Sequence, residues 1–91
     1  MKNVLVVFGS KSDEKVYNPI VDKLKAKKTS VVLRICSAHR TPELLNKILL
    51  EKNYHLIIAG AGLAAHLPGV VASKTVAPVI GVPVNSNFDG L

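Results

Sequence analysis

Four short runs of aliphatic residues, each the length of a β-strand and almost free of polar residues, limit what this chain can fold into. The runs cover Val4–Phe8, Val31–Ile35, Leu56–Ala59 and Val79–Val82. Strands that are apolar on both faces are typical of parallel sheets covered by helices on both sides. The runs therefore predict four parallel strands in the interior of the protein.

The segments between the runs have the apolar spacing of amphipathic helices. Apolar residues recur every fourth position in the first segment and form a stripe in the second: Val16, Ile20 and Leu24, then Leu44, Leu45, Ile48 and Leu49. The resulting β-α-β-α-β-α-β order predicts a doubly wound, three-layer α/β/α sandwich with right-handed connections.

Two helix starts carry the expected signals. Thr41 suits an N-cap, Pro42 the first helical position and Glu43 the first turn,. The run Leu67–Gly69 predicts that a third helix opens in the same way, with Pro68 near its first position.

Pro19 is a difficulty for the first helix, which we predict to begin near Ser12. A proline inside a helix removes a backbone hydrogen bond and costs about 3 kcal/mol. Either this helix kinks, or Asn18 caps it and Pro19 begins its regular part.

Size and cysteine content narrow the class of protein. The 91 residues suffice for one domain, over residues 1–91, and a domain this small gains stability from association. Cys36 is the one cysteine, and no apolar run reaches the roughly 18 residues of a membrane span,. We therefore expect a cytoplasmic protein that does not enter a membrane.

The charge of the chain is compatible with several partners. Twelve Lys and Arg against six Asp and Glu give a net charge of +6, which suits nucleic acid, an anionic membrane or a phosphorylated metabolite. Four lysines crowd into residues 23–28 without an interleaved aromatic residue, as at a solvated helix end. A nucleic-acid-binding module therefore remains a weaker alternative.

Three strand-to-helix loops should meet at the carboxyl edge of the sheet, where open α/β folds bind ligands. These loops are Gly9–Asp13, Ser37–Glu43 and Gly60–Gly69. The lysine-rich connection at 27–30 should lie at the opposite edge. The sequence therefore predicts a ligand site away from most of the basic residues.

The first loop, Gly-Ser-Lys-Ser-Asp, favours an anion, because amides at a helix start and two hydroxyls can all donate hydrogen bonds,. The Asp13 carboxylate would repel a phosphate but can accept hydrogen bonds from a sugar, so a ribose phosphate satisfies both groups. The alternative is that Ser12 or Asp13 merely caps the helix.

The second loop places His39 beside Arg40. A histidine can exchange a proton near neutral pH, and an arginine can form a bidentate contact with a phosphate. The alternative is a structural histidine beside an ion-paired arginine. Cys36 ends a buried strand and is expected to fill the core. A hydrolytic triad of Ser10, Asp13 and His39 is disfavoured because the chain lacks the Gly-x-Ser-x-Gly turn.

The third loop begins with Gly-Ala-Gly-Leu-Ala-Ala at 60–65, which formally matches a dinucleotide-binding motif,. The acidic residue expected about 20 positions later is missing. The small residues of this loop are therefore expected to let backbone amides approach a compact ligand instead. His66 either lines this site or fills space below it. The scattered histidines and single cysteine predict no metal site.

Four segments form a set in chain order: Gly-Ser-Lys-Ser-Asp at 9–13, Ser-Ala-His-Arg-Thr-Pro-Glu at 37–43, Ala-Gly-Ala-Gly-Leu-Ala-Ala-His-Leu-Pro-Gly at 59–69, and Pro-Val-Ile-Gly-Val-Pro-Val at 78–84. The set resembles the PurE family of purine biosynthesis, and Arg40 and Pro42 resemble its class I mutases. The resemblance implies a flavodoxin-like sheet. Family members continue beyond the equivalent of Leu91, so we expect a domain that lacks the last strand and the C-terminal helices.

The resemblance implies conversion of 5-(carboxyamino)imidazole ribonucleotide to 5-amino-1-(5-phosphoribosyl)imidazole-4-carboxylate, without a cofactor or metal, in a homo-oligomer that is an octamer in the family. It implies that His39 shuttles a proton and Asp13 binds ribose hydroxyls. The phosphoribosyl group would be held by Ser10, Ser12, Ser37 and Arg40, and the migrating carboxylate by Ala61, Gly62, His66 and Leu67. The alternatives are a non-catalytic ribonucleotide-binding remnant and a carboxylase that uses CO2 directly.

Overall fold

The computed structural model describes residues 3–36, 42–61 and 66–84. Its strands and helices alternate along the chain: β1 (Asn3–Phe8), a 3-10 turn (Lys11–Asp13), α1 (Glu14–Ala26), β2 (Ser30–Ile35), α2 (Pro42–Leu50), β3 (Leu56–Ala61), α3 (His66–Ala72) and β4 (Val79–Pro83). Each of the four predicted strands and three predicted helices is present.

The four strands form one sheet in the order β2-β1-β3-β4. Every neighbouring pair is parallel, and the register places the last residue of β1, Phe8, beside Ile35 of β2 and Gly60 of β3. The predicted parallel, flavodoxin-like sheet is therefore confirmed, with β1 and β3 as its central strands.

The core consists of two apolar clusters, one on each face of the sheet. Alternate residues of β1 face opposite sides, so that Leu5 and Val7 pack with α2 and α3 while Val6 and Phe8 pack with α1. Residues 4–8 are all buried. Burial on both faces explains why this strand is a continuous apolar run rather than an alternating one.

The start of α3 differs from the prediction. The helix begins at His66, one residue before Leu67, so Pro68 takes its third position instead of its first. The first four backbone N–H groups of a helix have no partner inside it, and proline is tolerated there for that reason. Burial of the Leu67 side chain in the core keeps that residue within the helix.

Helix α1 continues through Pro19 without interruption. The alternative in which Asn18 caps a helix beginning at Pro19 is therefore wrong. Pro19 is the sixth residue of α1 counted from Glu14, so its missing N–H leaves the carbonyl of Lys15 without a helical hydrogen bond. Burial of Tyr17 and Val21 against the sheet holds the helix together at this point.

The C-terminus of α1 closes with a Schellman motif. The Lys28 N–H donates to the Lys25 carbonyl at 2.9 Å and the Thr29 N–H donates to the Leu24 carbonyl at 3.2 Å, which is the hydrogen-bond pair that defines this motif. Lys28 therefore adopts a positive φ of 59°. Helices that end in this motif usually have glycine at this position, because a side chain is strained there.

Replacing Lys28 with glycine is expected to raise the free energy of unfolding by about 1 kcal/mol, because the left-handed conformation costs a side chain about that much. Chemical denaturation measures the change. Lys27→Gly is the matched control, since it removes the same charge from a residue with a φ of −93°. An equal gain in both variants would mean that relief of charge crowding, and not backbone strain, is responsible.

Strand β4 lies at an edge of the sheet and is only partly covered. Its residue Ile80 is 50% exposed on the face where α1 packs, whereas Val79 contacts the cluster under α2 and α3. Part of one sheet face is therefore uncovered within the described residues, as the count of helices and strands predicts. No helix among those residues is long and apolar enough to cross a bilayer.

Candidate functional site

The carboxyl ends of β1, β2 and β3 are joined at one edge of the sheet. The Gly9 N–H donates to the Gly60 carbonyl at 3.1 Å, and the Cys36 N–H donates to the Phe8 carbonyl at 2.9 Å. The chain leaves β1 toward β2 on one side and returns to β3 on the other, which makes this edge the switch point where α/β folds bind ligands. The three strands that the predicted loops follow therefore end side by side.

The turn after β1 is capped by Ser10, whose extended backbone has a φ of −150°. Its Oγ accepts a hydrogen bond from the Ser12 N–H at 3.2 Å and lies 2.7 Å from the Ser12 Oγ. Ser10 and Ser12 are exposed, so this hydroxyl pair faces solvent. Asp13 holds the N-cap position of α1, as the capping alternative expects, but its side chain makes no capping hydrogen bond, and the side-chain cap of the turn is Ser10.

This arrangement leaves the Asp13 side chain without a capping role. Asp13 occupies the position before α1 but makes no side-chain capping hydrogen bond, while its backbone N–H donates to the Ser10 carbonyl at 3.1 Å. Its side chain is half-buried and forms no ion pair with any residue that the structure describes. A carboxylate in this state can accept hydrogen bonds from ligand hydroxyls.

An aromatic pair supports the turn from behind. The Tyr17 hydroxyl donates to the Lys11 carbonyl at 3.3 Å, and the Tyr17 and Phe8 ring centroids are 5.4 Å apart. Both rings are buried. The sequence interpretation did not identify Tyr17, whose one visible signal is its place four residues before Val21 on the buried side of α1.

Core packing requires glycine at position 60, which the sequence interpretation did not foresee. A Cβ atom at Gly60 would lie 2.6 Å from Cζ and 2.7 Å from Cδ2 of Phe8, which is shorter than any ordinary contact. The missing side chain makes room for an aromatic ring of the core. Approach of a ligand is not needed to explain this glycine, although it was the reason expected for the small residues of the third loop.

The other residues predicted for the site fall into two groups. Ser37, His39, Arg40 and Gly62 lie outside the described residues. Ala61 ends β3 beside Pro83, and His66 begins α3, so their backbones lie at the expected edge. The Leu67 side chain is 3% exposed and belongs to the core, so a contact with substrate can come only from its backbone.

The opposite edge of the sheet has a different character. The four lysines at the end of α1 are all exposed there: Lys23, Lys25, Lys27 and Lys28.

Tyr54, which precedes β3, has a buried hydroxyl with no hydrogen-bond partner among the described residues. Burial raises the pKa of Tyr54, the Glu51 carboxylate adds to the rise, and the Arg34 guanidinium opposes it.

Metal binding has no support in the described part of the chain. No group of three or more His, Cys, Asp or Glu side chains comes together there. Cys36 is buried at the end of β2, as expected for a residue that fills the core.

Comparison with solved structures supports the fold assignment. The crystal structure of Treponema denticola PurE superimposes with a TM-score of 0.85 and 28% sequence identity, covering 98% of this chain and 59% of that one.

Curated proteins give closer sequence matches. The N5-carboxyaminoimidazole ribonucleotide mutase of Methanocaldococcus jannaschii is 49% identical over 88 residues, which are 97% of this chain and 56% of the relative. The mutase of Saccharolobus solfataricus is 47% identical over the whole of this chain, which covers 60% of the length of that relative. The chloroplastic phosphoribosylaminoimidazole carboxylase of Vigna aconitifolia is 48% identical over 93% of this chain and 16% of its own length.

The chain spans between half and two thirds of the length of the mutases that it matches. The family model described as AIR carboxylase matches residues 3–91, which is nearly the whole chain. The loops at the carboxyl edge of the sheet, their sequence motifs and the strand order all fall within this match, and the resemblance predicted from the motifs is confirmed. This chain belongs to the AIR carboxylase family.

Proposed function

We propose that this chain acts in purine biosynthesis and converts 5-(carboxyamino)imidazole ribonucleotide to 5-amino-1-(5-phosphoribosyl)imidazole-4-carboxylate. The observation that carries the proposal is the pair of solvent-facing hydroxyls of Ser10 and Ser12, 2.7 Å apart, next to the Asp13 carboxylate, which has no ion-pair partner among the described residues, at the switch point. This combination suits a sugar phosphate, and family membership identifies which sugar phosphate to test.

We assign the ribonucleotide two kinds of contact, hydrogen-bond donors for its phosphate and a hydrogen-bond acceptor for its ribose. The phosphate would accept hydrogen bonds from Ser10 and Ser12 of the first loop and from Ser37 and Arg40 of the second. Hydroxyls and a guanidinium are good donors to phosphate oxygens. Asp13 would accept from the ribose hydroxyls. The carboxylate that migrates would be held by the third loop: Ala61, Gly62 and His66, and the backbone of Leu67.

The chemistry needs one group that both gives and takes a proton. When the carbamate nitrogen is protonated, its bond to the carboxyl carbon breaks and CO2 is released next to the ring. The ring carbon then forms a bond to that CO2 and loses its proton. His39 would donate the first proton and accept the second, since an imidazole has a reference pKa of about 6.5.

Retention of CO2 is the second requirement. A pocket that excludes water keeps the CO2 within reach of the ring carbon, so that recapture competes with escape. We propose that assembly into a homo-oligomer, in the cytoplasm, completes such a pocket. The half-exposed Ile80 supports this proposal, because it leaves apolar surface available for burial between subunits.

The test is a carboxyl-transfer assay on the purified chain together with its mass in solution. Product formed from the carboxyamino ribonucleotide without added bicarbonate supports the mutase. Product formed only from aminoimidazole ribonucleotide and bicarbonate supports the carboxylase alternative, which the name of the Vigna aconitifolia relative favours. Ribonucleotide binding without turnover identifies a non-catalytic remnant, and absence of binding overturns the proposal.

A nucleic-acid-binding role makes a different prediction. It requires the exposed lysines at the end of α1 to form the binding face, and binding that depends on them falls steeply as salt rises. Random duplex DNA in a mobility-shift assay distinguishes the two roles. Our proposal predicts no shift at physiological salt.

A further inference from the structure

A hydroxyl buried behind the first loop has no role in the function proposed above. Tyr17 lies on α1, is 4% exposed and reaches back to the turn that carries Ser10 and Ser12. Its hydroxyl donates to the Lys11 carbonyl at 3.3 Å. That carbonyl also accepts a hydrogen bond from the Glu14 N–H, so two donors, one from a backbone and one from a side chain, converge on a single peptide group.

We propose that Tyr17 is a positioning residue that holds the Gly9–Asp13 turn in the shape that binds the phosphate of a sugar phosphate. The proposal rests on the proposed function, since it concerns the same anion site. It assigns no contact between Tyr17 and the ligand, because the ring is buried beneath the turn.

The planarity of the peptide bond is the physical link between Tyr17 and the site. The Lys11 carbonyl and the Ser12 N–H belong to one trans peptide group, so fixing the direction of the carbonyl fixes the direction of the N–H. The Ser12 N–H in turn donates to the Ser10 Oγ at 3.2 Å. The Tyr17 hydroxyl therefore orients the amide that places both serine hydroxyls.

The position of the Tyr17 ring is itself fixed by the end of the sheet. Its centroid lies 5.4 Å from that of Phe8, with the planes inclined at 59°, a tilted arrangement that aromatic pairs favour. Phe8 lies against Gly60, where no Cβ atom fits. Packing against Gly60 at the end of β3 therefore fixes the position of the Phe8 ring, and the Phe8 ring fixes that of Tyr17. The hydrogen bond from Tyr17 then holds the turn in place relative to the sheet.

Tyr17→Phe tests the proposal, because it keeps the ring and removes only the hydroxyl. We expect the affinity for ribose 5-phosphate, used as the probe, to fall about fivefold, which is the net effect of one hydrogen bond. The affinity is measured by NMR titration of the whole 91-residue chain. The control is Tyr54→Phe, which also removes a buried hydroxyl but one without a partner in the described residues.

A second measurement separates positioning from a general effect on stability. Water-exchange NMR should detect about fivefold faster exchange of the Ser12 and Asp13 amides in Tyr17→Phe, with the amides of β1 unchanged. A merely structural role would accelerate exchange in the turn and in β1 together, because both would then exchange through global unfolding.

The outcomes distinguish this inference from the function on which it rests. If the unsubstituted chain fails to bind ribose 5-phosphate, the proposed function fails, and the amide exchange still decides whether Tyr17 orders the turn. If the unsubstituted chain binds and Tyr17→Phe binds equally well, or loses no more affinity than Tyr54→Phe, the inference is overturned. Unchanged exchange at Ser12 also overturns it.

Discussion

Replacing Gly60 with alanine is expected to lower the free energy of unfolding by about 3 kcal/mol, at the upper end of the cost of overpacking a core. The added methyl group would overlap the ring of Phe8, with Cζ at 2.6 Å. Phe8 is fully buried and packs against Tyr17, so the ring cannot move aside without disturbing α1. Urea denaturation, followed by circular dichroism, measures the change.

Gly69→Ala is the matched control, because the same methyl group is added where no atom lies within 4 Å. Gly69 is inside α3, and alanine is favoured over glycine in a helix by about 1 kcal/mol. The two substitutions should therefore change stability in opposite directions. Equal losses in both variants would show that the contact between Gly60 and Phe8 is not what sets the cost.

The Gly60 substitution also bears on the site, because the Gly60 carbonyl accepts the hydrogen bond from the Gly9 N–H. If Phe8 shifts, the turn that follows Gly9 shifts with it. Gly60→Ala should therefore weaken binding of ribose 5-phosphate even where the protein remains folded, whereas Gly69→Ala should leave binding unchanged.

The sequence predicts the fold well because its main signals are local. Runs such as Val4–Phe8 are apolar throughout, short and rich in valine, which is the pattern of a strand covered on both faces. Parallel pairing then places the three strand-to-helix loops at one edge without any knowledge of tertiary contacts. The sequence predicts Pro68 as the first residue of α3 and the structure has it as the third, because proline tolerates several positions in the first helical turn.

The packing behind the site could not be predicted in the same way. The contact between Phe8 and Gly60 joins residues 52 positions apart in the chain, and it depends on the face of the sheet toward which Phe8 points. The side-chain cap could not be predicted for a related reason. Ser10, Ser12 and Asp13 are all good capping residues, and only the 3-10 turn at Lys11–Asp13 decides that Ser10 supplies the side-chain cap.

Replacing His39 with asparagine is expected to reduce turnover of the carboxyamino ribonucleotide by about 100-fold to 10,000-fold, the contribution of a positioned proton donor and acceptor. Asparagine has nearly the size of histidine and can form hydrogen bonds, but it cannot exchange a proton near neutral pH. Affinity for ribose 5-phosphate should be retained, because the proposed phosphate contacts come from other side chains. The two quantities are measured by the carboxyl-transfer assay and by titration calorimetry.

Arg40→Ala separates proton transfer from binding, since it changes the adjacent residue of the same loop. Loss of a hydrogen bond between charged groups should weaken ribose 5-phosphate binding by about tenfold or more, so the Arg40 variant should lose affinity first and the His39 variant turnover first. Equal loss of binding and turnover in His39→Asn would refute the proton-shuttle role. Unchanged affinity in Arg40→Ala would refute the phosphate contact and leave the serine hydroxyls of the first loop as the principal donors.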